Sequence, residues 1–131
     1  MEANTHLGLN RSLCGAPLEL APGAATLSLL TLPSMAADAQ GLVHGGFVFG
    51  LADHAAMLAV NDPNVVLGAA ETRFLAPCKV GETVLATARV RAESGRKRSV
   101  EVSCRVGERE VLTGSFTCFV LDHHVLEGSQ S

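Results

Sequence analysis

One run constrains the fold more than any other: HGGFVFGLADHAAMLAV, His44 to Val60, in which every residue except His44, Asp53 and His54 is glycine or apolar. Its apolar residues are too continuous for strand alternation and the run is too long for one strand, so it predicts a helix of about four turns. A helix apolar nearly all round has to be buried. It is shorter than the roughly 20 residues that span a bilayer, and Asp53 lies near its middle. The rest of the chain must therefore supply the cover.

The flanking sequence supplies it as strands. NDPN (Asn61 to Asn64) stops the helix, and the pattern then changes to period two in VVLGAAETRFLAP, TVLATARVRAES, SVEVSCRV and REVLTGSFTCFVLD. Glycine-containing turns at CKVGE, GRKR and GER separate these four strands, expected to run consecutively and antiparallel. Ahead of the long helix, Thr5 to Cys14 predicts a short helix ending at Gly15, and Ala24 to Leu32 a strand opened by Pro22-Gly23 and ended by Pro33. The fold class is thus α+β, an antiparallel sheet over one long helix. A single curved sheet covers such a helix only in part, which predicts a homodimer and allows a dimer of dimers, hence a homotetramer. The 131 residues suit one domain, with a polar tail over 122–131.

Composition removes several classes of function. Ten basic and thirteen acidic residues are spread along the chain, and Trp and Tyr are absent, so neither the field nor the stacking surface for nucleic acid is present. No secretory leader is read in MEANTHLGLN, and the expectation is a soluble cytoplasmic protein with no membrane partner. Cys14, Cys78, Cys104 and Cys118 form no C-x-x-C pair and read as reduced structural thiols. His123 and His124 alone do not make a metal site, and no metal is expected.

The chemistry concentrates in the helical run. Gly45 and Gly46 stand where a loop enters a helix, where unpaired N–H groups and the helix dipole favour an oxyanion and the absence of side chains lets a ligand approach. Gly46, Asp53 and Val60 share one stripe, with Phe49 and Met57 near it. A carboxylate there is paired, neutral or placed to react. Gly45 and Asp53 are about 12 Å apart along the axis, whereas both would need to lie within about 3 Å of one reacting carbonyl or its water. Two antiparallel copies of the helix can bring Gly45 of one subunit to Asp53 of the other, which predicts two composite sites per dimer.

GLVHGGFVFGLADHAAMLAVN followed by RFLAPCKVGETVLATARV resembles the hotdog-fold acyl-CoA thioesterases, in the branch typified by the phenylacetate-pathway thioesterase, from about Asp38 to Val120. The resemblance implies a hotdog fold and an acyl-CoA substrate, with no cofactor because CoA is part of the substrate. By position it makes Gly45 the N–H donor to the thioester oxygen and Asp53 the base or nucleophile, acting from opposite subunits. His44 falls on the motif histidine, with a role in site geometry. Where relatives often carry Asn or Gln, six residues before that histidine, this chain has Asp38, and Gln40 lies two residues later. Arg96, Lys97 and Arg98 at a turn, with Arg73 and Lys79, are the candidates for the CoA phosphates. Phe47, Phe49, Met57 and Phe74 offer an apolar lining for the acyl group, and Glu71 is expected to pair with Arg73 on the surface. The alternative on the same fold is a non-catalytic acyl-CoA-binding or sensing protein.

Overall fold

The computed structural model describes residues 1–127. The long helix, α2, spans Gly45–Val60. Its start is set by His44, extended at φ −64° and ψ 130°, and its end by Asn61 in the left-handed conformation at φ 55°, which Asn tolerates better than most residues. The other elements in chain order are α1 Arg11–Cys14, β1 Ala16–Ala21, β2 Ala24–Leu30, β3 Val65–Phe74, β4 Thr83–Ser94, β5 Lys97–Val106 and β6 Arg109–Val120. The strands form one sheet in the order β1-β2-β4-β5-β6-β3, every pairing antiparallel. The sheet wraps α2, which is the hotdog fold.

Alternation along the strands decides which face meets the helix. In β4, Val84, Ala86 and Ala88 point inwards and are buried, while Thr83, Leu85, Thr87 and Arg89 point outwards. Leu27 and Leu29 of β2, Val100 and Val102 of β5, and Phe116 and Cys118 of β6 complete the inner face. Against it α2 packs Leu51, Ala52, Ala55, Ala56, Met57, Leu58 and Ala59, all essentially inaccessible to solvent. The alanines let the helix sit close to the sheet. What remains accessible on α2 is a stripe at helical spacing comprising Gly46, Phe49, Gly50, Asp53 and Val60. Met57, expected beside that stripe as pocket lining, is instead core.

The departures from the sequence reading have local causes. The first helix is only Arg11–Cys14, capped by Asn10, whose side chain accepts from Ser12 N–H at 2.9 Å. Residues ahead of it cannot be helical through His6, which stands at φ 56°. Strand β1 was not expected; it is an edge strand with Pro17 and a bulge between Pro17 and Glu19, and these features obscure its alternation. The first strand after α2 does not neighbour the next: β3 crosses to the far edge and pairs with β6. Glu71 and Arg73 do face the same side, but neither belongs to an ion pair among the described residues. In the expected tail, residues 122–127 carry a 3-10 turn at Val125–Glu127, while 128–131 lie outside the described residues. No helix among the described residues is long and apolar enough to cross a membrane.

The N-terminal segment is strapped across the end of α2. Asn61 accepts from Asn4 N–H at 2.7 Å and donates to the Glu2 carbonyl at 2.9 Å. Under this strap His54 is buried and bonds through Nδ1 to the Cys14 carbonyl at 3.1 Å. Burial holds the His54 pKa below the ordinary imidazole value; the bond to Cys14 and the Asp53 charge oppose this, and His6 and Arg11 reinforce it. A histidine that takes up a proton less readily when folded loses stability as the pH falls below its unfolded value of about 6.5. The melting temperature should therefore drop between pH 6.5 and 5, and His54→Asn, which keeps a donor for Cys14, should drop less in a thermal-denaturation pH series.

Candidate active site

The entry to α2 is held rigidly. His44 N–H donates to the Met35 carbonyl at 2.9 Å, and Val43 N–H to the Cys78 carbonyl at 2.9 Å, so the chain ahead of the helix is tied on both sides. His44 Nδ1 then accepts from Gly46 N–H at 2.9 Å, an imidazole cap that leaves the ring proton on Nε2. The two glycines therefore differ in role. Gly46 N–H is consumed by the cap, and a Cβ at Gly46 would stand 2.8 Å from His44 Nδ1. Gly45 N–H has no partner among the described residues and sits at the positive end of the helix. Of the pair, Gly45 alone can offer its N–H to a ligand.

Asp53 lies two turns further along. Its Oδ1 is buried without a hydrogen-bond partner, the one such side-chain atom among the described residues. Burial raises the carboxyl pKa above its ordinary value, and His54 acts weakly the other way. Burial first, and the same carboxylate second, push the Cys118 thiol up to about 12. Asp53 thus leans towards β6, where Phe49 also stacks on Phe116 with ring centroids 5.6 Å apart. Cys118 could not be read as a neighbour from spacing, because β6 is some sixty residues away and its place beside α2 follows from topology.

The remaining candidates are scattered. Asp38 is exposed and folds its own turn, its Oδ1 accepting from Gln40 N–H at 3.0 Å and Leu42 N–H at 3.2 Å. Gln40 is exposed in that turn. Arg96 pairs with Asp122, and Arg98 with Glu93 at 3.0 Å, which leaves Lys97 as the cation of that turn without an ion pair among the described residues. Lys79 is exposed, and its N–H donates to Glu82 at 2.7 Å. Arg73 belongs to a row Thr26, Thr87, Ser103, Thr113 and Arg73 across the sheet face away from α2. A hollow of about 1100 Å³ lies on that face, and neither Gly45 nor Asp53 lines it. A smaller one, about 280 Å³, lies directly beside Gly45. No group of three metal-ligating side chains occurs among the described residues.

Residues 40–113, which include the capped helix entry and Asp53, match the model of the thioesterase superfamily. The chain belongs to the thioesterase superfamily. Within the superfamily fold it is similar to an uncharacterized protein of Pyrococcus horikoshii, with 50% identity, a TM-score of 0.95, and coverage of 96% of this chain and 97% of that one. It is also similar to a mutant of the phenylacetic acid degradation protein PaaI from Thermus thermophilus, with 29% identity, a TM-score of 0.77, and coverage of 85% and 96%. A relative from Aquifex aeolicus named methylthioribose-1-phosphate isomerase is 50% identical over 93% of this chain, but the chain spans only 27% of its length. The transcription factor FapR of Caldanaerobacter subterraneus is 30% identical over 66% of this chain and 43% of its own length.

The raised pKa of Asp53 makes a stability prediction separate from any activity. A carboxyl that holds its proton more tightly when folded weakens the fold at pH values where it is ionised. Asp53→Asn should raise the melting temperature at pH 8, and the gain should shrink as the pH falls and the wild-type carboxyl takes up its proton.

Proposed function

We propose that this chain is a cytoplasmic acyl-CoA thioesterase that hydrolyses a thioester to free acid and CoA at two composite sites in a homodimer. The observation that carries the reading is the pairing of an unsatisfied carboxylate, Asp53, with an unpaired N–H, Gly45, on one helix at a separation of about 12 Å. One helix cannot apply both to one carbonyl. A two-fold axis that sets Gly45 against Asp53 of the partner subunit crosses the helices midway, at Phe49–Gly50. There a Cβ on Gly50 would meet nothing within 4 Å, so a helix-interior glycine that costs about 1 kcal/mol relative to alanine leaves room for a second backbone. The open stripe leans towards β6, next to the ten-residue edge strand β3, whose outer backbone groups are unpaired within one chain. Superfamily membership and the likeness to PaaI support the same reading.

The chemistry follows from the residues. Gly45 N–H, strengthened by the helix dipole, stabilises the negative charge that develops on the thioester oxygen. Asp53 either takes a proton from water as the water oxygen bonds to the acyl carbon, or attacks that carbon itself to form an anhydride that water then opens. In either route the carbon–sulfur bond breaks and CoA leaves as thiolate, which needs little acid assistance. His44 fixes the entry geometry through Gly46, and Lys97 is the cation of the β4–β5 turn best placed to meet a phosphate without first breaking an ion pair.

A second reading, a non-catalytic acyl-CoA-binding domain, is favoured by the likeness to a transcription factor and by Asp38, which spends its Oδ1 on its own turn. Thiol release across an acyl-CoA panel separates the two: turnover supports hydrolysis, and binding without turnover supports the alternative. Asp53→Asn should lower turnover by at least about a hundredfold. Gly45→Pro removes the one unpaired N–H at a helix position that accepts proline, and should be similarly inactive, with Gly45→Ala as the steric control. Mixing the Asp53→Asn and Gly45→Pro proteins under subunit exchange should restore about a quarter of wild-type activity, since half the dimers then carry one intact site. No recovery would place both groups in one subunit.

A further inference from the structure

We propose that Phe74 walls an apolar acyl groove, open to solvent, beside Gly45 and so favours apolar acyl groups of about nine non-hydrogen atoms or fewer. The inference rests on the thioester-hydrolysis reading and specifies its substrate. The hollow beside Gly45 holds about 280 Å³, and at about 30 Å³ for each water-sized group that is room for about nine. Its walls are Val43, Val48, Leu75 and Val111, with Cys78 buried among them. No charged side chain lines it, and burial keeps the Cys78 thiol protonated by raising its pKa. A carboxylate or hydroxyl on the acyl chain would lose its water there and gain no partner.

Phe74 stands at the mouth. Its backbone is fixed as the last residue of β3, opposite Leu112, and the next residue, Leu75, donates to the Val111 carbonyl at 2.9 Å. Phe74 is nevertheless 56% exposed. Its ring leans on Gly45: a Cβ there would stand 3.1 Å from Phe74 Cε1. The ring therefore rests against the same residue whose N–H is unpaired, and Leu75 adds exposed apolar surface to the lining. A thioester oxygen bonded to Gly45 N–H directs its acyl chain into the adjoining hollow, where the ring sets the length that fits. Glycine at 45 thus serves two ends, approach of the oxygen and seating of the ring.

The test is the kcat/KM profile over straight-chain acyl-CoAs from two to sixteen carbons, with phenylacetyl-CoA and glutaryl-CoA. Wild type should favour chains up to about eight carbons and phenylacetyl-CoA, and fall at least about tenfold for dodecanoyl-CoA and for glutaryl-CoA. Phe74→Ala should raise the ratio of kcat/KM for dodecanoyl-CoA to that for hexanoyl-CoA about tenfold, whatever its effect on the absolute rates, and Phe74→Trp should shorten the preferred chain. Circular dichroism confirms folding of both variants. Superimposable profiles for wild type and Phe74→Ala, or equal wild-type hydrolysis of hexanoyl- and palmitoyl-CoA, would overturn the proposal. If no acyl-CoA is turned over, the hydrolytic reading fails, and the pocket is then judged by calorimetric binding of the same series: the same cut-off, relaxed by Phe74→Ala, supports it, and its absence refutes it.

Discussion

A buried carboxylate oxygen without a hydrogen-bond partner is the feature on which the rest depends. Folding normally leaves such an atom in water or pairs it, because desolvating a carboxylate without compensation is costly. Asp53 sits where neither happens within one chain: its helix is sealed on most of its circumference by the sheet, and the residue lies on the partly accessible stripe with its Oδ1 buried and unpaired. The cost is tolerable because burial is incomplete and the carboxyl can hold its proton more tightly. Those same conditions suit the base proposed for the reaction.

The sheet explains why the stripe stays open. Six strands curve around α2, but the helix is apolar on all sides, and its contacts are concentrated on β2, β4 and β5. The side towards β6 and β3 retains Phe49, Gly50 and Asp53 at the surface, next to an unpaired strand edge. Helix stripe and strand edge are therefore adjoining consequences of one topology, in which β3 crosses to the far side of the sheet rather than pairing with β4. In the proposed dimer a second copy would cover both at once and bring the unpaired Gly45 N–H to the unsatisfied Asp53 carboxylate.

Much of this was legible in the sequence because it is local. The bounds of α2 follow from two glycines where a loop enters the apolar run and from NDPN after its last turn, and the four later strands follow from period two. The separation of Gly45 and Asp53 needed only the rise of a helix. What was hidden depends on distant or irregular contacts. Strand β1 carries proline and a bulge, so its alternation is broken. The length of α1 was overestimated because His6 takes a positive φ that composition does not reveal. Met57 shares a helical face with the stripe in projection, yet the sheet curves far enough to cover it. The division of labour between Gly45 and Gly46 rests on one imidazole bond, which no spacing rule distinguishes.

The central claim is that Gly45 and Asp53 act on one carbonyl from different subunits. The most direct measurement is a crystal structure of the oligomer with a non-hydrolysable thioether analogue of the substrate. The account predicts Gly45 N of one subunit and the carboxylate of Asp53 from its partner, each within about 3.5 Å of the acyl oxygen or of a water poised on the acyl carbon. An analogue contacted by Gly45 with no Asp53 of either subunit within reach, or by both groups from the same subunit, would contradict it.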